Sequence, residues 1–234
     1  MGLLGSKAFS QGPATLPLSD AGSHSVVTDS SVRPKWGLRI VCISDTHGNH
    51  RDVTVPEGDI LIHAGDFTAY GKEAHAKDFN DWLGELPHRI KLVVVGNHEN
   101  NAEWIGRVED ILWNATFLRQ SSHECHIGGP VVFGTDFCPS GNPYYDQIPE
   151  GTSILIAHGP AAGCADGGKG CSSLLEAVRR VKPVLVVSGH VHFAHGAAAL
   201  QLPTGERTIF LNAANCGSGP KERSIAHGAI AIEL

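Results

Sequence analysis

The sequence predicts a layered α/β domain, and three observations carry that prediction. Five short apolar runs end abruptly in Asp, Asn or His: Leu38 to His47, Ile60 to Asp66, Leu92 to Glu99, Ile154 to Gly159 and Leu185 to His192. Apolar runs this short read as buried strands. The segments between them carry apolar residues at helical spacing, and strands alternating with helices pack in layers. At 234 residues the chain can form one domain around a sizeable core.

The first run sets the pattern for the rest. Its interior belongs in the core, and its tip, Asp45-Thr46-His47, belongs at the C-terminal edge of a sheet, where open α/β sheets bind ligands. On an extended segment Asp45 and His47 would point to the same side. The later tips supply Asp66 after Gly65, Asn97 and His98 after Gly96, His158 before Gly159, and His190 and His192 around Val191. One His after an apolar run is usually a hydrogen-bonded core residue. Five successive tips of this chemistry point instead to a site for a pair of hard-to-borderline divalent cations.

In chain order, residues 1–37 are rich in Gly, Ser, Ala and Pro and show neither helical nor strand period. They are expected to form a flexible tail ahead of a catalytic domain at 38–234. Within the tail, Met1-Gly2-Leu3-Leu4-Gly5-Ser6 matches the N-myristoylation pattern, and one acyl chain on Gly2 would give weak membrane association. A disordered leader or an organellar transit segment is the alternative.

Phe79, Trp82, Leu83 and Leu86 predict a helix with one buried face, and Trp104, Ile105, Val108, Ile111 and Leu112 predict a second. Ala115 to Asp136 reads as a hairpin turning at Gly128-Gly129-Pro130. Residues 138–151 form a loop that is a candidate wall of a substrate pocket. Gly163 to Gly170 is a Gly-rich loop without a complete phosphate-binding pattern, followed by a helix carrying Leu174, Leu175, Val178 and Val181. Ala197 to Leu202, Arg207 to Asn212 and His227 to Glu233 are expected as antiparallel strands completing a second sheet.

A net charge of −6 argues against a nucleic-acid-binding surface. The six cysteines are scattered without a CxxC pair, and a domain this large needs no disulfides, so a reducing cytoplasm is the simpler setting. No apolar run approaches membrane-spanning length.

Taken together, Asp45-x-His47, Gly65-Asp66, Gly96-Asn97-His98, His158 and Gly189-His190-x-His192 resemble the calcineurin-like metallophosphoesterase superfamily. The resemblance implies a four-layer α/β/β/α sandwich with two mixed sheets. It also implies two divalent metal ions, one held by Asp45, His47, Asp66 and His192 and the other by Asp66, Asn97, His158 and His190. Asp66 would bridge them, and His98 would be the catalytic imidazole. Further segments, Gly170 to Leu175, Arg179 to Pro183, and Asn212-Ala213 with Cys216, narrow the likeness to the metallophosphodiesterase-domain-containing (MPPED/239AB) family over residues 38–234.

That family implies Mn2+-supported hydrolysis of small phosphodiesters, cyclic nucleotides among them, and nucleotide monophosphate binding. Fe, Zn2+ or a mixed pair also suits these ligands. A phosphomonoesterase and a non-catalytic nucleotide-binding scaffold are the alternatives. Around the motif, Glu99 either orients His98 or faces solvent, His63 is a candidate support for a ligand, and Asn212 either caps a strand end or approaches the metals.

Overall fold

Two seven-stranded sheets face each other in this computed structural model, which describes residues 12–27, 29, 35–126, 128–137, 143–218 and 224–234. The strands of the first half are β1 (Ala14–Leu16), β2 (Leu18–Asp20), β3 (His24–Val27), β4 (Arg39–Ile43), β5 (Ile60–His63), β6 (Ile90–Val93) and β7 (Thr116–Phe117). Those of the second half are β8 (Ser121–Glu124), β9 (Val131–Thr135), β10 (Ile154–Ala157), β11 (Leu185–Ser188), β12 (Gly196–Gln201), β13 (Arg207–Asn212) and β14 (Ala229–Glu233). The helices are α1 (Glu73–Glu85), α2 (Val108–Ile111) and α3 (Ser172–Val181). One sheet runs β2-β3-β14-β4-β5-β6-β7 and the other β1-β12-β13-β11-β10-β9-β8, and both mix parallel with antiparallel pairs.

Strand alternation makes the layers. From β4, Ile40 and Cys42 join Ile60, Ile62 and Leu92 against Ile154, Ile156, Leu185 and Val187 of the other sheet. Val41 and Ile43 point the opposite way, into a cluster with Phe79, Trp82 and Leu83 of α1. On the far side Leu174, Val178 and Val181 of α3 cover Leu155, Val186 and Phe210. Two outer cores and one between the sheets give the α/β/β/α order.

Three expectations about the elements change. The described part of the N-terminal segment is not a tail: β1 pairs with β12, β2 with β3, and β3 with β14. Such short edge strands are specified by the strands they join, not by their own pattern. The myristoylation motif lies outside the described residues. Of the three C-terminal strands, β12 and β13 form the expected antiparallel pair, but β14 enters the other sheet, antiparallel to β4. The second helix shortens to a 3-10 turn, Ile105–Arg107, and the single turn of α2.

The hairpin forms as β8 and β9. In the loop at 138–151, the described Tyr145 and Ile148 pack into the core beside α3. Arg180 of α3 donates to the carbonyls of Tyr145 and Ile148 at 2.9 and 3.0 Å, which ties this part of the loop to α3. No helix among the described residues is long and apolar enough to cross a membrane.

Candidate metal centre

Parallel pairing gathers the five tips. β4, β5 and β6 are successive neighbours in one sheet, and β10 and β11 pair in the other. The two sheets meet at the tips, where Ser44 bridges to Ala214 and the N–H of Asn215 donates to the Ser44 carbonyl at 2.8 Å. Asp45, His47 and His192 each bring a ligand atom within 4.8 Å of the others, and so do Asp66, His158 and His190. A third such group is His47, Asp66 and His98, so Asp66 is common to two clusters. Asn97 Oδ1 lies 3.2 Å from His158 Nε2. All eight residues singled out in the sequence therefore lie together.

They arrive by tight turns and not, as expected for Asp45 and His47, on an extended segment. Asp45, His47, Asp66 and His190 have φ of 54°, 46°, 55° and 66°. Left-handed backbone costs a non-Gly residue about 1–2 kcal/mol, and it persists only where surroundings enforce it. Here they do. The Asp45 N–H donates to Gly65 O at 2.9 Å, and the His47 N–H to Asp66 O at 3.0 Å. The Asp66 N–H donates to Glu99 Oε2 at 3.0 Å, and the His190 N–H to Asp45 Oδ2 at 2.8 Å. The motif glycines follow from the same crowding: a Cβ on Gly96 would fall on the Asp66 carboxylate, and one on Gly189 on Asp45 and Ser44.

Hydrogen bonds also set the tautomers. His158 donates from Nδ1 to Ala64 O at 2.7 Å, and His192 from Nδ1 to Gly217 O at 2.9 Å, so each turns Nε2 inward. His192 Nε2 faces His47 Nε2 at 3.3 Å. Imidazoles sharing one cation at bonds of about 2.0–2.1 Å stand roughly 3–3.4 Å apart. Asp45 Oδ1 is fully buried without an aligned donor, though His192 Nε2 is 3.2 Å away. Facing imidazole nitrogens, an orphaned carboxylate oxygen and a mixed N/O donor set fit divalent cations.

Without cations, charge accumulates. Burial works against ionised Asp45, yet the His158 and His192 imidazoles hold its carboxyl below the ordinary range. Burial would lower His158, but the Asp66 and Asp45 carboxylates raise it to about 9. Asp66 Oδ2 is 3.4 Å from its Nε2.

His98 stands apart. Its Nδ1 accepts the Tyr70 N–H at 2.9 Å, so neutral His98 carries its proton on Nε2, 3.9 Å from Asp66 Oδ2. Its ring lies between His47, at 4.6 Å between centroids, and Tyr70, at 5.3 Å.

Four buried polar side chains tie the ligand turns to one another. Glu99 neither orients His98 nor faces solvent: it is 0 % exposed and accepts from the N–H groups of Asp66, Thr68 and Gly96 and from the Thr68 hydroxyl. Burial and the Asp66 charge push its pKa up to about 7. His63 accepts the Gly65 N–H on Nδ1 at 3.2 Å and reaches Thr46 Oγ1 at 3.1 Å, so it supports two ligand turns through their neighbours. Asn212 does more than cap its strand, donating to Val191 O between two ligand histidines and to Ala165 O. Asn215 accepts the Ser44 N–H and donates to the carbonyls of His227 and Gly228.

The Gly-rich loop encloses an anion of its own. Asp166 Oδ1 and Oδ2 accept N–H groups from Gly163, Gly168 and Gly170 at 2.8 to 3.1 Å. Lys169 of this loop lines a cavity with His190 and His192, and no sequence pattern singled it out.

Residues 38–194 match the family model described as calcineurin-like phosphoesterase. The chain is 39% identical to the UPF0046 protein K07C11.7 of Caenorhabditis elegans over 78% of its own length and 71% of that protein. It is 33% identical to metallophosphoesterase domain-containing protein 1 of Homo sapiens, over 81% of its own length and 70% of that protein. Among solved structures it is similar to TT1561 of Thermus thermophilus, with a TM-score of 0.52 and 14% identity over 75% of this chain and 88% of the other, a likeness of fold. With the family pattern matched over most of its length, the chain belongs to the calcineurin-like phosphoesterase family of metal-dependent phosphoester hydrolases.

Proposed function

We propose that this chain hydrolyses small phosphodiesters, cyclic nucleotides among them, with a pair of divalent transition-metal ions of which Mn2+ is the foremost candidate. One cation would be held by Asp45, His47, Asp66 and His192, and the other by Asp66, Asn97, His158 and His190. When bound, such a pair supplies charge to the phosphoryl oxygens and acidifies a water. The observation that carries the reading is Asp66, shared by two ligand clusters, with the Nε2–H of His98 beside it.

The rest follows from the chain's own groups. Nε2–H of His98 is aimed as a hydrogen-bond donor for the charge that develops on a departing oxygen, and the Tyr70 N–H on Nδ1 keeps that proton on Nε2. Ala64 and Gly217 carbonyls hold the two ligand imidazoles in the orientation a cation requires. Glu99 fixes the turn that presents Asp66. The diester preference rests on charge: of the residues lining the cavity beside His190 and His192, Lys169 is the one with a permanent cation, a modest match for a monoester dianion.

The test is a hydrolysis panel of bis(p-nitrophenyl) phosphate, p-nitrophenyl phosphate and cyclic nucleotides, with Mn2+, Fe, Zn2+ or Mg2+ added to metal-stripped protein. Faster turnover of the diesters, dependent on added metal, is expected. Preference for the monoester overturns the diesterase assignment, and inertness toward all of them overturns the enzymatic one.

A further inference from the structure

Beside the candidate metal centre lies a cavity of about 410 Å³ lined by Lys169, His190, Val191, His192, Phe193 and Ser218. Phe193 is 59 % exposed, an uncommon place for a large apolar ring next to a polar site. Its position is fixed by the backbone around it. The ring lies against Gly167, where any Cβ would collide with it. The loop carrying Gly167 and Lys169 is closed around the Asp166 carboxylate, and Asn212 ties Ala165 of that loop to Val191, two residues before Phe193. Lys169 makes no ion pair among the described residues.

The cavity also has a direction. His190 and His192 line it and His98 does not, while the His98 ring packs on His47 at 4.6 Å between centroids, so the Phe193 cavity opens from the His190 and His192 part of the centre. In hydrolysis, water adds to phosphorus and the P–O bond on the His98 side breaks. The departing oxygen accepts a hydrogen bond from the His98 Nε2–H and takes the proton given up by the attacking water, and the other ester arm stays on the product.

We propose that the cavity is the subsite for this retained arm, with Phe193 as a stacking face for a planar aromatic group and Lys169 as the cation meeting the phosphoryl charge. The proposal rests on the hydrolase reading and deepens it: esters whose retained arm carries an aromatic ring are favoured over those with an alkyl arm.

The test uses the full chain loaded with Mn2+ and two esters with the same leaving group and charge, bis(p-nitrophenyl) phosphate and methyl p-nitrophenyl phosphate. In Phe193→Ala, kcat/KM for the bis-aryl ester should fall about fivefold more than for the methyl ester, the size of an aromatic contact. Phe193→Trp should restore the ratio. Lys169→Ala should raise KM for both esters alike. A ratio unchanged in Phe193→Ala overturns the proposal.

A second measurement separates this outcome from failure of the hydrolase reading. Phenylphosphonate and methylphosphonate, which cannot turn over, are titrated into the same proteins. The native chain should bind the phenyl compound about fivefold more tightly, and Phe193→Ala should lose that preference. Equal affinities in the native chain, or a preference that survives in Phe193→Ala, overturn the subsite whether or not any ester is hydrolysed.

Discussion

The backbone N–H of Tyr70 donates to Nδ1 of His98 across 2.9 Å, and the two rings stack with centroids 5.3 Å apart. An N–H at Nδ1 leaves that nitrogen only its lone pair to offer, so the neutral ring presents a proton at Nε2 and nothing else. A ring in this state donates a hydrogen bond to the leaving oxygen. Tyr70 holds it from a left-handed conformation, φ 60°, that is itself unusual for a bulky residue.

His98→Ala should therefore retain both cations while losing about 10²- to 10⁴-fold in kcat. The loss should be smaller for a p-nitrophenyl ester, whose leaving group needs no proton, than for an alkyl ester. Metal content by mass spectrometry and rates on both esters decide the matter. Equal losses on the two would mean that His98 does not act on the leaving oxygen.

Glu99→Gln should destabilise the protein although the shapes match. The carboxylate receives three N–H groups and one hydroxyl, and an amide presents one oxygen and two donors of its own to them. Each buried donor left unpaired costs about 1–3 kcal/mol. Denaturant unfolding of metal-stripped protein should show a loss of about 2 kcal/mol or more, with weaker metal binding because the Asp66 turn loosens. Unaltered stability would mean that the amide finds other partners.

How much of this was legible in the sequence follows from what each contact requires. Metal-binding chemistry draws on few side chains, Asp, Asn and His among them, and the tips follow apolar runs, so Asp45, His47, Asp66, Asn97, His158, His190 and His192 could be read together with the adjacent His98. The acceptor on Tyr70's side of His98 could not, because the donor is a backbone group that any residue possesses. Glu99 was visible only as the residue after His98; its burial depends on the turns at Asp66 and Gly96, distant in sequence. Strand β1 was illegible because its three residues pair with Ala197, Ala198 and Ala199, far along the chain. The apolar pattern of β14 announced a strand without saying which sheet it would join.

Gly189→Ala probes the crowding behind a motif glycine. The new methyl would land on Asp45 and Ser44, so the chain must move the carboxylate or the turn. The outer cores do not touch this position, and the fold should survive while bound metal falls. Circular dichroism with metal analysis checks this: native-like spectra and full metal content together would contradict the steric account.

His63 gives an acid-sensitive term. It is 0 % exposed, and burial lowers its pKa to about 3. In the unfolded chain it titrates near 6.5. Between those values the unfolded state holds the extra proton, so stability from this group is complete above pH 6.5 and is lost as pH falls, by up to about 1.4 kcal/mol per unit. Unfolding of metal-stripped protein from pH 7 to 4 should be steeper for the native chain than for His63→Gln. Parallel curves would remove His63 from the acid response.

His158 is shifted the other way, and metal binding reads it. In the metal-free centre the Asp66 and Asp45 carboxylates raise its pKa to about 9, and His192 is raised by its contact with Asp45. The Nδ1–H of His158 stays hydrogen-bonded to the Ala64 carbonyl, so the proton that must leave is the one on Nε2, the atom that would face the cation. At neutral pH metal binding should then release about one proton from His158, and affinity should rise roughly tenfold per pH unit for that proton until pH nears 9. Above that value the imidazole is already neutral, and the dependence should flatten. Calorimetry in buffers of different ionisation enthalpy measures the release directly, and binding of Mn2+ without net proton release at pH 7 would mean that the carboxylates do not hold His158 in its charged form.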